Sequence, residues 1–209
     1  MPSGRLIVEG NDDKHVILHL CKNADIPIYF DFNENPNGFT NARDAFEVSL
    51  KDNTICCLGI VVDADIDISS RWTSLRDILS AKGYTTPANI EPLGLVLHDE
   101  TKIVSHVGMW IMPDNRIPGI LEDFVKYLIP EDDSLRDYSL QCVDNLPEKR
   151  FKDSFRSKAE IHTWLAWQDE PGTPMGLAVT KKYLSNVDSA RTFLDWLNRL
   201  FNEPFPNGA

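Results

Sequence analysis

The sequence has no long apolar run, few cysteines and little positive charge, and each of these shortages excludes a class of protein. No stretch among its 209 residues approaches the ~20 consecutive apolar residues that a membrane-spanning helix requires. No positively charged and then apolar leader precedes the first predicted strand. We therefore predict a cytoplasmic protein that makes no use of a membrane.

Cysteine is scarce and shows no metal-binding spacing. The chain has four cysteines, and two of them are adjacent inside an apolar run. Their separations fit no zinc pattern of the paired-cysteine kind. We therefore predict free thiols, as is typical of proteins in the reducing cytoplasm. They are Cys21, Cys56, Cys57 and Cys142.

Positive charge is also in short supply. The chain carries 21 Lys and Arg residues against 32 Asp and Glu residues, which gives a formal net charge of −11. This balance argues against a protein that coats nucleic acid through bulk electrostatic attraction. It does not exclude an enzyme that meets phosphate groups through bound metal ions, because such ions reverse the local charge.

Short apolar segments alternate with segments of helical periodicity through the first two-thirds of the chain. This alternation predicts an α/β fold, with a mostly parallel, Rossmann-like sheet flanked by helices. The later segments are helical. We therefore predict a single domain over residues 1–209, with a core at about residues 1–130 and a helical extension at about residues 131–209. The predicted strands are residues 6–8, 28–32, 55–62, 93–97 and 104–112.

Carboxylates follow two of the predicted strands. Glu9 follows the first strand, and Asp63 and Asp65 follow the apolar run at residues 55–62. Singly, Glu9 could be an exposed turn residue, and the two aspartates could cap a helix. Together they predict a metal site, because ligands of open α/β sheets bind at the carboxyl ends of strands and clustered carboxylates need a cation. Oxygen ligands favour Mg²⁺ or Mn²⁺ over zinc.

Two segments carry a resemblance to a known superfamily. Residues 8–13 (VEGNDD) and residues 61–65 (VVDAD) resemble the two signatures of the TOPRIM superfamily, which includes topoisomerases, bacterial primases, ribosomal-RNA maturases and nucleases of the overcoming-lysogenization-defect (OLD) type. The resemblance implies a TOPRIM-like fold in which Glu9, Asp63 and Asp65 are catalytic and hold the metal. Asp13 matches an additional acidic position of the nuclease branches.

Further segments are similar to a bacterial TOPRIM-like family related to the OLD-type nucleases, so that the resemblance covers most of the chain. The sequence lacks a topoisomerase tyrosine context, a primase zinc module and an ATP-binding Gly-x-x-x-x-Gly-Lys-Ser/Thr motif. The resemblance therefore implies a nuclease that works with an ATPase on a separate chain, in defence against phage. The similar segments are residues 110–115, 119–124, 158–166, 172–176 and 193–197.

Asp114 and Glu122 form a second candidate carboxylate group. They could hold a second metal ion, the arrangement that clamps both oxygens of a phosphodiester during hydrolysis. Alternatively, Asp114 makes a turn with Asn115, and Glu122 with Asp123 stabilises the positive end of a helix. The sequence leaves both interpretations open.

The only dense basic run spans residues 149–158. Lys149, Arg150, Lys152 and Arg156 are candidates for contacts to the nucleic-acid backbone. Lys158 best matches a lysine that OLD-type nucleases carry before a late helix, which implies a catalytic role. The alternative is that the run is the solvated face of an amphipathic helix.

The leading hypothesis is a Mg²⁺- or Mn²⁺-dependent nuclease that hydrolyses phosphodiester bonds in DNA or RNA, with DNA the favoured substrate, and that can form a homo-oligomer. A non-catalytic TOPRIM-fold binding module is a second hypothesis. A receiver-like phosphoacceptor domain is a third, because receivers also place an acidic pair at one strand end and a phosphoacceptor aspartate at another. Cleavage assays with and without metal separate these hypotheses.

Overall fold

A five-stranded sheet lies at the centre of the molecule. The structure is a computed structural model that describes residues 3–34 and 37–202. Its strands are β1 (Ser3–Val8), β2 (Phe30–Phe32), β3 (Ile55–Asp63), β4 (Leu95–His98) and β5 (His106–Met112). They lie in the order β2-β1-β3-β5-β4. β4 is antiparallel to β5, and the other pairs are parallel.

Helices flank both faces of the sheet, so the predicted α/β class with a mostly parallel sheet is confirmed. In chain order they are α1 (Asn11–Asn23), α2 (Gly38–Ser49), α3 (Ile68–Ala81), α4 (Leu121–Tyr127), α5 (Ser134–Asp144), α6 (Arg156–Leu165), α7 (Met175–Thr180) and α8 (Arg191–Phe201). No helix in this described part of the chain is both long and apolar enough to cross a bilayer. Cys21, Cys56, Cys57 and Cys142 form no disulfide bond, as predicted.

The alternation of side chains along β1 divides the core into two layers. Leu6 and Val8 pack in a cluster with residues of α1, α4 and α8. Ile7 points to the other face, where it packs with residues of α2 and α3. The sheet is therefore buried on both faces, which explains why β3 is apolar on both of its sides.

α8 lies directly on the sheet. A Cβ atom built on Gly108 would come within 2.6 Å of Leu200, and one built on Gly59 within 2.9 Å of the same side chain. Such distances are too short for any residue but glycine, so these two positions allow α8 to approach β3 and β5 closely. The C-terminal helices thus complete the core over one face of the sheet.

The strand order creates a crevice between β1 and β3. The chain leaves β1 through α1 to β2 on one side, and then returns through α2 to β3 on the other side. Because α1 and α2 cover opposite faces, the carboxyl ends of β1 and β3 are left open between them. This is the place where open α/β sheets bind their ligands.

Candidate functional site

An acidic pocket occupies the crevice at the carboxyl ends of β1 and β3. It has a volume of about 240 Å³. Five carboxylates and one lysine contribute to its wall, together with backbone of the loop after β1 and of the first turn of α4. The charged residues that line this acidic pocket are Glu9, Asp12, Asp13, Asp63, Glu122 and Lys158.

Hydrogen bonds fix the two carboxylates that follow the strands. Glu9 accepts a hydrogen bond from the backbone N–H of Asp63, with 2.9 Å between Oε1 and N. Asp63 accepts one from the N–H of Leu121, the first residue of α4, at 2.8 Å. The side chain of Asn33 both donates to and accepts from the backbone of Val8. These bonds join β1, β3 and α4 around the pocket.

Asp13 is the most buried of the acidic residues that α1 contributes. It lies four residues after Glu9, in the first turn of α1, and only 5% of its surface is exposed. Its Oδ1 atom has no hydrogen-bond partner among the described residues. A buried oxygen without a donor is costly, and it is an atom that a cation would satisfy.

Crowding in a low-dielectric environment raises the pKa values of these acids. Burial, and then the charges of Asp13, Glu9 and Glu122, raise the pKa of Asp63 to about 9. Burial and the neighbouring Glu9 raise the pKa of Asp13 to about 7. Burial also raises the pKa of Glu9, although the N–H of Asp63 partly offsets it. Without a counter-ion, the group therefore retains protons near neutral pH.

Lys158 is the cation of the acidic pocket. Its Nζ atom lies 3.1 Å from Oε1 of Glu122, a residue that is only 2% exposed. Burial lowers the pKa of Lys158, but the charge and hydrogen bond of Glu122, together with the charges of Asp63 and Asp12, raise it, and the pKa is raised overall. The lysine therefore remains protonated beside a carboxylate at the mouth of the pocket.

Asp65 lies at the rim and does not line the pocket. Its carboxylate pairs with Arg71 of α3, and the guanidinium of Arg71 also stacks 3.9 Å from the centre of the Phe39 ring. The charge of Asp65 contributes to the raised pKa of Glu9, so it remains close to the site. Its backbone has a positive φ of 52°, which turns the chain away from β3 immediately after Asp63.

The remaining predicted residues lie elsewhere. Asp114 accepts hydrogen bonds from the N–H groups of Arg116 and Ile117, at 2.9 and 3.1 Å, and so closes a turn. It does not line the acidic pocket. Of the predicted acidic and basic site residues, the structure thus brings together Glu9, Asp13, Asp63, Glu122 and Lys158, and leaves Asp65 and Asp114 outside.

The four candidates for nucleic-acid contacts also lie outside the acidic pocket. Arg156 makes an ion pair with Asp144 at 2.7 Å, and Lys149 approaches the same carboxylate at 3.9 Å. Arg150 pairs with an acidic neighbour as well. Lys152 is exposed, and it makes no ion pair with any residue that the structure describes. Three of these four basic residues are therefore already neutralised locally.

The acidic pocket offers the donor chemistry of a hard cation, although its side chains are not arranged around one. Most of the side-chain ligands that it presents are carboxylate oxygens, the type that Mg²⁺ and Mn²⁺ prefer. Across residues 3–34 and 37–202, no group of three or more Asp, Glu, His or Cys side chains has the geometry of a metal-holding set. A cation would compete with Lys158 for Glu122.

Sequence reasoning missed three contributors to this site. Asp12 lines the pocket, Asn33 holds the end of β1, and Arg71 holds Asp65 at the rim. Asp12 could have been found, since it follows Glu9 within the same acidic turn. Asn33 contacts a residue that is distant in the sequence. The contact of Arg71 depends on the unusual backbone angle of Asp65. No sequence pattern marks either residue.

Comparison with known proteins gives one finding. A family model described as "Protein of unknown function (DUF3226)" matches residues 3–202. The match includes every residue of the acidic pocket. No curated protein and no solved structure matches the chain.

Proposed function

The chain belongs to the DUF3226 family, and we propose that it is a metal-dependent nuclease that hydrolyses phosphodiester bonds. The single observation that carries the proposal is the acidic pocket. It collects carboxylates from the ends of two parallel strands and from the first turns of two helices, and sets one lysine beside them. A structural role explains this poorly, because grouped buried carboxylates destabilise a fold unless a cation compensates them.

The residues of the pocket fit Mg²⁺ or Mn²⁺ in their chemistry. We propose that Glu9, Asp13, Asp63 and Glu122 hold the cation. The unpartnered Oδ1 of buried Asp13 supports this, since a cation would supply the charge that this oxygen lacks. When bound, such a cation polarises a phosphoryl oxygen and lowers the pKa of water.

The protein's own groups have distinct tasks in this proposal. Glu9 and Asp63 are held by backbone N–H groups, so their orientation is set before any ligand binds. Lys158 pairs with Glu122, which would be free to hold the cation once the lysine turns to the phosphate and stabilises the negative charge that develops there. Asp65, paired with Arg71, shapes the rim.

The more specific proposals for the fold and the substrate depend on the resemblance to the TOPRIM superfamily and its OLD-type nucleases. We propose a TOPRIM-like fold, DNA as substrate in preference to RNA, and a partner ATPase on another chain, in the setting of phage defence. The ion pairs of Lys149, Arg150 and Arg156 with acidic neighbours support a role for a partner in holding the nucleic acid. A protein of net charge −11 gains little from bulk electrostatic attraction.

Cleavage assays test the proposal directly. The purified protein is incubated with supercoiled plasmid and with single-stranded RNA, in the presence of Mn²⁺, Mg²⁺ or EDTA. We expect metal-dependent cleavage that falls at least about a hundredfold in Asp63→Asn, because this substitution removes a charged ligand. Asp77→Asn is the matched control, since Asp77 is an exposed residue of α3 paired with Arg76.

Two results would contradict the proposal. Equal cleavage by Asp63→Asn and Asp77→Asn would mean that the acidic pocket is not the active site. No cleavage of either substrate with metal, by a folded wild-type protein, would favour the non-catalytic binding module.

A further inference from the structure

A second charged cluster lies beside the acidic pocket, where α4 meets α6. We call it the α4–α6 network and define it as Asp123 and Lys126 of α4 with Ser157 and Glu160 of α6. Glu160 is its most buried member, with a side chain only 5% exposed. The network lies among helices, away from the strand ends, and none of its members was predicted as a site residue.

Short contacts tie the members of the network together. Lys126 Nζ lies 2.7 Å from Glu160 Oε2 and 3.0 Å from Asp123 Oδ1. Lys126 also donates to the hydroxyl of Ser157 at 3.0 Å, and that hydroxyl donates to Asp123 at 2.6 Å. Arg156 adds a second cation to Glu160, at 2.7 Å. The buried carboxylate is therefore doubly compensated.

The network and the acidic pocket share the same two helices through adjacent residues. On α4, Glu122 faces the pocket and the next residue, Asp123, belongs to the network. On α6, Lys158 faces the pocket and the preceding residue, Ser157, belongs to the network. α4 and α6 are therefore joined by two adjacent polar contacts, the Glu122–Lys158 ion pair and the Asp123–Ser157 hydrogen bond.

Apolar packing leaves part of this interface unfilled. A cavity of about 430 Å³ adjoins the network, with Ile161 of α6, Tyr127 of α4 and Leu140 of α5 among its lining residues. Where a cavity separates helices, close-packed side chains cannot fix their relative position alone. Farther along α6, Ile161, Trp164 and Leu165 pack in the same apolar cluster as residues of α4, so the polar contacts act on the first turn of α6, beside the cavity.

We propose that Glu160 is a positioning residue of the site, which holds α6 against α4 so that Lys158 faces the acidic pocket. This inference rests on the proposed function for its catalytic consequence. Glu160 lies two residues after Lys158 and anchors α6 to α4 through Lys126, and to its own first turn through Arg156. Loss of this anchor lets the start of α6 shift toward the adjoining cavity, and Lys158 moves with it.

A kinetic cycle tests whether Glu160 acts through Lys158. Turnover at saturating plasmid is measured with Mn²⁺ for the wild type, Glu160→Gln, Lys158→Ala and the double variant. We expect Glu160→Gln to lower kcat about tenfold, with little change in KM, because small misplacements of a catalytic group are costly. In the Lys158→Ala background the same substitution should have no further effect. Equal losses in both backgrounds would overturn the proposal, since they indicate a general structural role.

A second measurement needs no activity. Lysines of the folded protein are acetylated with a limiting amount of an amine-reactive acetyl ester, and peptide mass spectrometry compares Lys158 with exposed Lys152. We expect Lys158 to react severalfold faster in Glu160→Gln and in the milder Ser157→Ala, because it has left Glu122. Glu122→Gln is the positive control. Glu170→Gln, at an exposed ion pair with Lys181, is the matched control that should leave the rate unchanged.

The two measurements distinguish the failure of this inference from the failure of the proposed function. Unchanged Lys158 acetylation in both α6 variants, with a rise in Glu122→Gln, would overturn the positioning role whether or not the protein cleaves DNA. A rise in both α6 variants supports the positioning role even if wild-type protein shows no cleavage, a result that would count against the nuclease proposal alone.

Discussion

The acidic pocket and the α4–α6 network are built from the same residue types but balance their charges differently. In the pocket, Glu9, Asp13, Asp63 and Glu122 share one cation, Lys158. In the network, two carboxylates meet two cations and a hydroxyl at hydrogen-bonding distance. The two clusters are neighbours at the interface between α4 and α6.

The difference separates a cluster whose charges stabilise one another from a cluster that we propose binds a cation. Paired charges in the network satisfy one another, so removal of one partner leaves the rest uncompensated. The carboxylates in the acidic pocket are buried and repel one another, and burial first and this repulsion second raise the pKa of Asp63 to about 9. Substitutions that remove a charge should therefore destabilise the protein in the network and stabilise it in the pocket.

The largest effect on stability is expected in the network. Glu160→Ala leaves Lys126 and Arg156 without their buried partner, so we expect the free energy of unfolding to fall by about 2–3 kcal/mol. Urea denaturation at pH 7 measures the change, and Glu170→Ala is the exposed control. A loss no greater than that of the control would mean that the network does not stabilise the fold, and the contrast between the two clusters would fail.

The opposite response is expected in the acidic pocket and depends on pH. Folding raises the pKa of Asp13 to about 7 and that of Asp63 to about 9, so between about pH 4 and these values the folded state binds more protons than the unfolded state. Stability of the metal-free protein should therefore be greatest at the acidic end of this window and decline as pH rises from 5 to 9. The slope is at most about 1.4 kcal/mol per pH unit for each group.

Asp13→Asn separates this effect from the titration of other groups. The amide cannot ionise, so the variant should be more stable than wild type at pH 8, by on the order of 2 kcal/mol, and less dependent on pH between 5 and 7. Urea midpoints collected across the pH range give both quantities. If the free energy of unfolding of the wild type increased from pH 5 to 8 in EDTA, the carboxylates of the acidic pocket would not have the raised pKa values on which this prediction depends.

Some of this site could be predicted because it depends on local patterns. The apolar run before Asp63 marks a central strand, and the strand end places that carboxylate beside Glu9 in any parallel arrangement of β1 and β3. Asp13 lies four residues after Glu9, close enough along the chain for the first turn of α1 to carry it back to the pocket. These inferences need only strand and helix periodicity.

Other features depend on contacts that sequence patterns do not encode. Asp65 turns to Arg71 because its backbone adopts a positive φ, an angle uncommon for residues other than glycine. α7 was not predicted, because its six residues include Gly176, a poor helix former. A Cβ there would lie 2.8 Å from the backbone of His15. The close packing of α7 on α1 therefore requires a glycine at this position, although glycine disfavours a helix.

The smallest effect is expected at Asp114, where a metal titration separates the two members of the second predicted carboxylate group, Asp114 and Glu122. Mn²⁺ at ten times its dissociation constant should stabilise the wild type by about 1.4 kcal/mol, which raises the melting temperature by roughly 3–6 °C. The shift should be larger at pH 8.5 than at pH 6, because bound cations require ionised carboxylates. Glu122→Gln should reduce it, since Glu122 lines the acidic pocket.

Asp114→Asn should leave the Mn²⁺-induced shift unchanged. Asp114 accepts hydrogen bonds from two backbone N–H groups in its turn, and an asparagine side-chain oxygen can accept the same bonds. The melting temperature of the metal-free variant should therefore also stay close to that of wild type. If Asp114 instead holds a second cation, the Mn²⁺-induced shift must fall in Asp114→Asn as it does in Glu122→Gln. If the Mn²⁺-induced shift in melting temperature fell equally in the two variants, the metal site would extend beyond the acidic pocket. Asp114 would then be a metal ligand and not only a turn residue.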